Sequence, residues 1–411
     1  MSKQNRVLII GGGAAGLISA ITAARNGAEV KIIEQMPRVG KKLLATGNGR
    51  CNITNSCIQL DRYHGECVEF AEYALSTFDV KRTTAFFEGI GLSVKEEDEG
   101  KIYPYSGQAS SVLDILRYEA SRLGVVELCD AEVKQIIATK NEFTLILRDG
   151  SKVVGDRVIV AAGGRANSNL GSTGTAYKLV SNLGHSITDT FPALVQLKLN
   201  SHHLKALAGV KFIGSATVLA NDKVVKQEKG EILFADYGIS GPPILQLSRV
   251  VAEKITVGNS IKIQLDLFPE FTIEEVTKIL NSKLALDKNK PIDFWLVGFI
   301  NKKLIPIVLK AAGISDIHKS CMDMEQYEVE NIVRLLKSWE FEATGTQPWR
   351  DAQVTAGGVS VKDINPETME SKIVKGLYLC GEILDIDGDC GGFNLQWAWS
   401  SGYLAGMNAS K

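Results

Sequence analysis

Several absences in this 411-residue sequence exclude whole classes of protein before any motif is considered. Its seven cysteines, Cys51, Cys57, Cys67, Cys129, Cys321, Cys380 and Cys390, contain no CxxC spacing. That argues against a zinc ribbon or a dithiol redox pair and fits reduced thiols in a cytoplasm. Neither charge sign is in excess: 46 Lys plus Arg stand against 47 Asp plus Glu. Nothing therefore draws the whole molecule to a phosphate backbone or an anionic membrane, no nucleic acid is expected, and a nucleic-acid partner would need a local basic patch. No apolar run approaches the ~18 residues of a membrane span, and the N-terminus lacks the pattern of a secretory leader, so no membrane partner is expected. The five histidines (His64, His185, His202, His203, His318) lie outside every motif and lack metal-ligand spacing, so no metal is assigned. There is no internal repeat or low-complexity tract, and nothing signals an oligomeric state.

The opening residues carry the first positive signal. Residues 6–10 are a β-branched run, followed by GGGAAG, a small-residue helix to about Arg25, and a strand EVKIIE ending at Glu34. This is a βαβ unit with a GxGxxG turn. Gly11 permits the tight turn, Gly13 lets a pyrophosphate approach the backbone, and Gly16 lets the helix pack closely on the strand. The helix start offers free N–H groups and a partial positive charge to phosphates. Glu34 stands where a carboxylate accepts hydrogen bonds from the ribose hydroxyls of an adenosine, which disfavours NADP at this site. An NAD or FAD dinucleotide remains.

Further along, residues 38–55 read as a long functional loop rich in Gly, Lys, Thr and Asn. Amphipathic helices are expected near 65–78 and 110–122, a strand over 125–133, a hairpin turning at Asp149-Gly150, and a buried strand in DRVIVAAGG. From about Phe191 short alternating segments predict a small antiparallel barrel. TIEEVTKILNSKLAL, FWLVGFINKKLIPIVLKAAG and MEQYEVENIVRLLKSW then read as helices, and EFEAT as a strand leading out. GLYLCGE returns the chain to the first domain, and a helix starts near Gly392.

Four blocks carry a resemblance: VGKKLLATGNGRCNITN (Val39 to Asn55), GEILFADYGISGPPILQLS (Gly230 to Ser248), VTAGGVSV (Val354 to Val361) and GLYLCGEILDIDGDCGGFNLQWAWSSG (Gly376 to Gly402). Together they resemble a bacterial and archaeal flavoprotein family variously called BaiN-like, YhiN-like or aminoacetone oxidase-type, within the glutathione-reductase-like FAD superfamily. GSTGTAY (Gly171 to Tyr177) departs from the family's GSTGDGY, with Thr175 and Ala176 replacing an acid and a glycine.

The resemblance implies an α/β protein: a Rossmann-type FAD-binding domain from both chain ends, 1–190 and 345–411, with an insert at 191–344. The insert is expected to hold a β-barrel over 191–270, closed by a strand near 339–344, and a mainly helical part over 271–338. Family FAD contacts carry over to Gly11, Gly13, Ala14, Ala15, Gly16, Glu34, Gln35, Lys42, Thr46, Gly47, Arg50, Asn52, Val133, Gly163, Gly381, Glu382, Asn394 and Leu395. In the loop, Lys42 and Arg50 would supply charge and Thr46 and Asn52 hydrogen bonds to a pyrophosphate and the polar edge of a flavin. The helix start near Gly392 would stabilise negative charge on a reduced flavin. Cys51 and Cys390 are expected to be inert packing thiols, and Trp397 and Trp399 core aromatics.

The expected function is a cytoplasmic FAD-dependent oxidoreductase acting on a small organic substrate held between the FAD domain and the insert. A second GxGxxG with its own βαβ unit is missing, so NAD(P)H would visit the flavin transiently or not at all. The family is linked both to amine oxidation and to reduction of unsaturated steroid-like rings. A flavin-based redox sensor and an RNA-modifying flavoprotein are the alternatives. Arg350, Asp351 and Tyr237 are the only acid–base candidates, chosen for their place beside family motifs.

Overall fold

The computed structural model describes residues 4–140 and 142–411. It divides into two compact units, Met1–Phe191 with Ala352–Lys411, and Pro192–Asp351. In the first unit, five parallel strands form one sheet: β1 (Arg6–Ile10), β2 (Glu29–Ile33), β3 (Val126–Leu128), β4 (Arg157–Val160) and β5 (Leu377–Leu379), in the order β5-β4-β1-β2-β3. A parallel strand covered on both faces must be apolar throughout, and Ile9, at the centre, pairs with Ile159 on one side and Ile32 on the other. β5 closes the far side, with Val158 opposite Leu377.

Three helices frame the candidate site: α1 (Ala14–Arg25), α2 (Lys41–Ala45) and α3 (Phe393–Ala409). α1 and α3 pack against each other, and their backbones approach so closely that a Cβ at Gly402 would stand 2.6 Å from the Ala15 carbonyl oxygen. Ser19 is buried between them and donates to the Ala15 carbonyl at 2.6 Å and to the Gly402 carbonyl at 2.9 Å as alternative acceptors. Leu17, Ile18 and Ile21 on α1 are completely buried, each contributing roughly 1.5–3 kcal/mol relative to exposure.

The second unit is built on a closed six-stranded barrel: Leu197–Asn200, Gly238–Ser240, Lys223–Ala235, Lys211–Ala220, Ile261–Asp266 and Trp339–Thr346, in that spatial order. Phe234, Ile239, Ile263 and Val218 fill its interior. Closure leaves no open edge that could pair with another chain.

Several sequence expectations are corrected. The loop over 38–55 contains α2 and a 3-10 turn at Thr46–Gly49, because KKLLA is a good helix-forming run bounded by Gly40 and Gly47, both at positive φ. The helix expected near 65–78 starts only at Phe70; Gly65 has φ +153°, and a Cβ there would run into the Asp385 carbonyl. FWLVGFINKKLIPIVLKAAG is not one helix but two short ones, Ile292–Trp295 and Leu304–Ala311, broken at Gly298 with φ +83°. Pro306 is tolerated because it lies in the first turn of the second helix, where its missing N–H has no intrahelical partner. A helix at Pro242–Thr256, started by prolines at its first two positions, was not anticipated.

Candidate functional site

Two glycine-rich turns, one before α1 and one before α3, define the site within the first unit. At the first, Gly11 has φ +101°, and a Cβ would lie 2.6 Å from the Ala161 carbonyl oxygen. A Cβ at Gly16 would collide with the Gly11 carbonyl. Gly13 differs: its φ is −80°, and nothing lies within 4 Å of where its Cβ would point. Gly11 and Gly16 are needed by the fold itself, while Gly13 keeps a space open at the start of α1. No side chain caps that start and no acidic residue occupies its first turn, which keeps it suited to an anion. Ala14 is half-buried there and Ala15 is buried against Gly381, whose Cβ would stand 2.8 Å from that of Ala15.

Glu34 follows β2 and faces the same turn. One carboxylate oxygen accepts from the Gly12 N–H at 2.7 Å and the other from the Met36 N–H at 2.8 Å. Burial pushes its carboxyl up despite these bonds, because desolvation disfavours the charged form. Gln35 donates from its side chain to the Gly171 carbonyl, which brings the GSTGTAY loop beside Glu34. Val133 is buried at the start of a strand and is placed by its backbone pairing with Leu147.

On α2, Lys42 binds Glu382 at 2.6 Å, and the other Glu382 oxygen accepts from the Thr355 N–H at 2.9 Å. Gly163 adjoins the same carboxylate. Arg50 pairs with Glu97 at 2.6 Å and lies 4.1 Å over the Tyr103 ring. The Thr46 hydroxyl donates to the Leu43 carbonyl. The cations expected to face phosphate are therefore directed at carboxylates of the chain, and they shape the loop. Gly47, Asn48, Gly49 and Cys51 all have positive φ; for Asn48 and Cys51 that is a strained conformation. Beside them Asn52 is buried and its side-chain oxygen has no hydrogen-bond partner among the described residues. An orphaned buried acceptor costs ~1–3 kcal/mol, so this one points to a donor supplied by a bound molecule.

The second turn carries Gly391 at φ +121° and Gly392 at φ +102°, the latter with a Cβ position 2.5 Å from the Thr54 backbone. The first helical hydrogen bond of α3 runs from Gln396 N–H to the Gly392 carbonyl at 2.9 Å, which leaves the N–H groups of Phe393, Asn394 and Leu395 ahead of the helical ladder. The Asn394 side chain is occupied, accepting from Gly388 N–H at 2.8 Å and donating to the Gly388 carbonyl at 2.7 Å. Leu395 is half-buried. Gly381, at the end of β5, donates its N–H to Ser401 at 2.9 Å and accepts from the Trp397 indole at 3.2 Å. Trp399 donates to the Ile53 carbonyl at 2.9 Å, and both tryptophans are fully enclosed. Burial raises the Cys51 thiol to about 12 and pushes Cys390 up as well.

The supporting residues Thr54, Asn55 and Gln396 were missed by the sequence reading. Gln396 is wholly buried and donates to the Phe78 carbonyl at 2.8 Å and to the Thr83 hydroxyl at 2.9 Å; Asn55 donates to the Gly391 carbonyl at 2.9 Å. A pairing of their positions by sequence spacing would have had to bridge most of the chain. Arg350, Asp351 and Tyr237 all belong to the second unit. Arg350 and Asp351 form an exposed pair at 3.4 Å. The Tyr237 hydroxyl is pushed up by burial and by the charges of Asp236 and Asp351.

The open space at Gly13, the orphaned Asn52 oxygen and two uncapped helix starts fit a dinucleotide with a polar ring, as FAD is. Residues 5–408 match the family model described as HI0933-like protein Rossmann domain. Among characterised relatives, the chain is 40% identical to the 3-dehydro-bile acid delta(4,6)-reductase of Clostridium scindens, over 99% of this chain and 100% of that protein. It is 30% identical to the ribosomal RNA dihydrouridine synthase of Haemophilus influenzae, over 100% of both chains. The Escherichia coli protein of the same name is 29% identical, over 98% of this chain and 97% of that one. Among the described residues, no helix is long and apolar enough to cross a membrane.

Proposed function

We propose, from the premise that this chain belongs to the HI0933-like Rossmann family and is an FAD-dependent oxidoreductase, that it reduces a ring carbon–carbon double bond conjugated with a carbonyl. What carries this reading is a chemistry shared by the relatives. A delta(4,6) bond beside the 3-keto group of a bile acid and the 5,6 bond of a uracil ring are both polarised by a conjugated carbonyl, so both accept hydride at the far carbon. Bound FAD supplies two-electron chemistry of this kind.

The chain's own residues bind and orient. The start of α1, with Gly13 open, would hold the pyrophosphate, and Glu34 the adenosine ribose. The Asn52 oxygen would accept from an N–H of the ring. The leading N–H groups of α3 would favour negative charge at the pyrimidine edge of the ring system. NAD(P)H is proposed as a transient donor, since the chain has one GxGxxG unit and the cofactor occupies it. Tyr237, Arg350 and Asp351 are the proposed acid–base groups; unchanged flavin reduction and reoxidation after substituting each with Ala would remove them.

The test is anaerobic stopped-flow. NADH or NADPH should bleach the flavin rapidly, and a 3-keto-4-ene steroid or a uridine-containing RNA should restore its colour faster than the saturated analogue does. Bleaching by amines alone would replace the proposal with amine oxidation. Slow bleaching by every donor would replace it with a redox sensor.

A further inference from the structure

A buried hydroxyl that the fold leaves unbonded calls for a partner from outside the chain. Tyr177 carries one. It lies in the short helix Thr175–Ser181 of the first unit, is 8% exposed, and its hydroxyl has no hydrogen-bond partner among the described residues. Burial first, and then the negative charge of Glu382, push the phenol up against an opposing effect from Arg165, so it stays an O–H donor. Glu382 is close enough to act on the phenol yet accepts no hydrogen bond from it. Its two oxygens are bound by Lys42 at 2.6 Å and by the Thr355 N–H at 2.9 Å.

A second hydroxyl borders the same carboxylate. Ser172, earlier in the GSTGTAY loop, is buried, and its side chain likewise makes no hydrogen bond among the described residues. A Cβ on Gly163 would stand 3.2 Å from the Ser172 Oγ and 3.9 Å from Glu382 Oε2, so the space that this glycine keeps clear has a hydroxyl on one side and a carboxylate on the other. The loop is held in place from its start: Gln35 donates to the Gly171 carbonyl, and a Cβ on Gly171 would lie 3.9 Å from Glu34 Oε1. Thr175 is exposed and shares a hydrogen bond with the Thr173 hydroxyl at 3.1 Å, while Ala176 offers no polar atom. The niche is therefore made without the two positions at which the loop departs from its family.

We infer that the Ser172 and Tyr177 hydroxyls, together with the Glu382 carboxylate, hold a sugar hydroxyl of the bound dinucleotide. A hydroxyl is the group that satisfies all three: it accepts from the phenol or the serine and donates to the carboxylate, whose oxygens each have a second lone pair. A phosphate would meet the negative charge of Glu382, and an apolar ring edge would leave both O–H groups unbonded. FAD offers sugar hydroxyls in two places, the ribityl chain and the adenosine ribose. The loop has a carboxylate at each end of this stretch, Glu34 beside Gly171 and Glu382 beside Ser172 and Gly163. The inference stands on FAD as the cofactor and does not depend on which ring the flavin reduces.

The experiment titrates the full-length apo-protein with FAD, and with FAD analogues that each lack one sugar hydroxyl, following flavin fluorescence. Y177F should weaken FAD binding about tenfold and S172A about fivefold, the loss expected when one hydrogen bond to the ligand is removed. Without FAD, Y177F should melt about 2 °C above wild type, because an unbonded buried hydroxyl has been taken away. One analogue should bind wild type and Y177F alike, since it lacks the hydroxyl that Tyr177 holds. If that analogue is a deoxyribityl one, the niche belongs to the flavin side chain; if it is a deoxyadenosine one, the niche belongs to the ribose. FAD affinity within about twofold of wild type in Y177F would overturn the inference and leave a trapped water as the partner of the hydroxyl. A tenfold gap that survives with every analogue would overturn it as well. So would a Y177F apo-protein that melts below wild type, which would place the hydroxyl's partner within the chain itself.

Discussion

The turns before α1 and α3 look alike in sequence, each a cluster of glycines entering a helix, but they use glycine for different reasons. At α3 the glycines are demanded by the chain: Gly392 is left-handed and its missing Cβ would lie against Thr54. At α1 the demand is split. Gly11 and Gly16 serve the packing of backbone on backbone, whereas Gly13 has an ordinary φ and faces empty space. A glycine that the protein does not need for its own conformation is present for something the protein holds.

The sharpest way to break this comparison is to add a methyl at each turn. Gly392→Ala should cost about 3 kcal/mol of stability, from a forbidden φ plus a backbone clash, read as a lowered midpoint in chemical denaturation. Gly13→Ala should leave the apo-protein's denaturation midpoint within ~0.5 kcal/mol of wild type while weakening FAD binding about 100-fold, measured by titrating the apo-protein with FAD. If both variants unfold alike, the two turns do not differ as argued.

A smaller effect is expected at Glu34. Its carboxyl is raised in the folded protein, so the stability it contributes is present below the ordinary glutamate value of about 4.3 and is lost as pH climbs through the raised folded value. Glu34→Gln should therefore make the apo-protein slightly more stable at neutral pH and flatten its melting temperature between acid and neutral pH. FAD affinity should fall roughly tenfold with the loss of a charged acceptor. A Gln variant that is less stable at neutral pH would show that the bonds to Gly12 and Met36 outweigh burial.

The smallest effect is kinetic. Cys380, beneath α1, and Cys51 have thiols raised to about 12, so a thiol reagent at pH 7 should label exposed Cys57 promptly and those two only after unfolding, counted by mass spectrometry. Labelling of Cys390 at the rate of Cys57 would mean that the second turn opens in solution.

The first turn was legible in the sequence because all its determinants are local: strand, glycines, helix and acid fall within one βαβ unit. The α/β class and the start of α3 were legible for the same reason. What was not legible depends on partners far apart in the chain. Lys42 and Arg50 look available for phosphate until the fold brings Glu382 and Glu97 to them. Gln396 looks like a surface residue of a helix until Phe78 and Thr83 enclose it. The helix Pro242–Thr256 was hidden because its apolar stripe follows a barrel strand without a polar linker.

The pairing of β4 with β5 has a consequence for how the molecule comes into being. The strand and helix that complete the first unit emerge from the ribosome only after the barrel has been synthesised in full. Until they emerge, the sheet has an unprotected edge and α1 has an uncovered face, in a chain whose decisive contacts span hundreds of positions. Such a topology folds slowly and exposes sticky surface while it waits, so the barrel would mature before the nucleotide-binding unit is complete. Premature termination anywhere in the final segment would leave a folded barrel attached to a half without its last strand and helix.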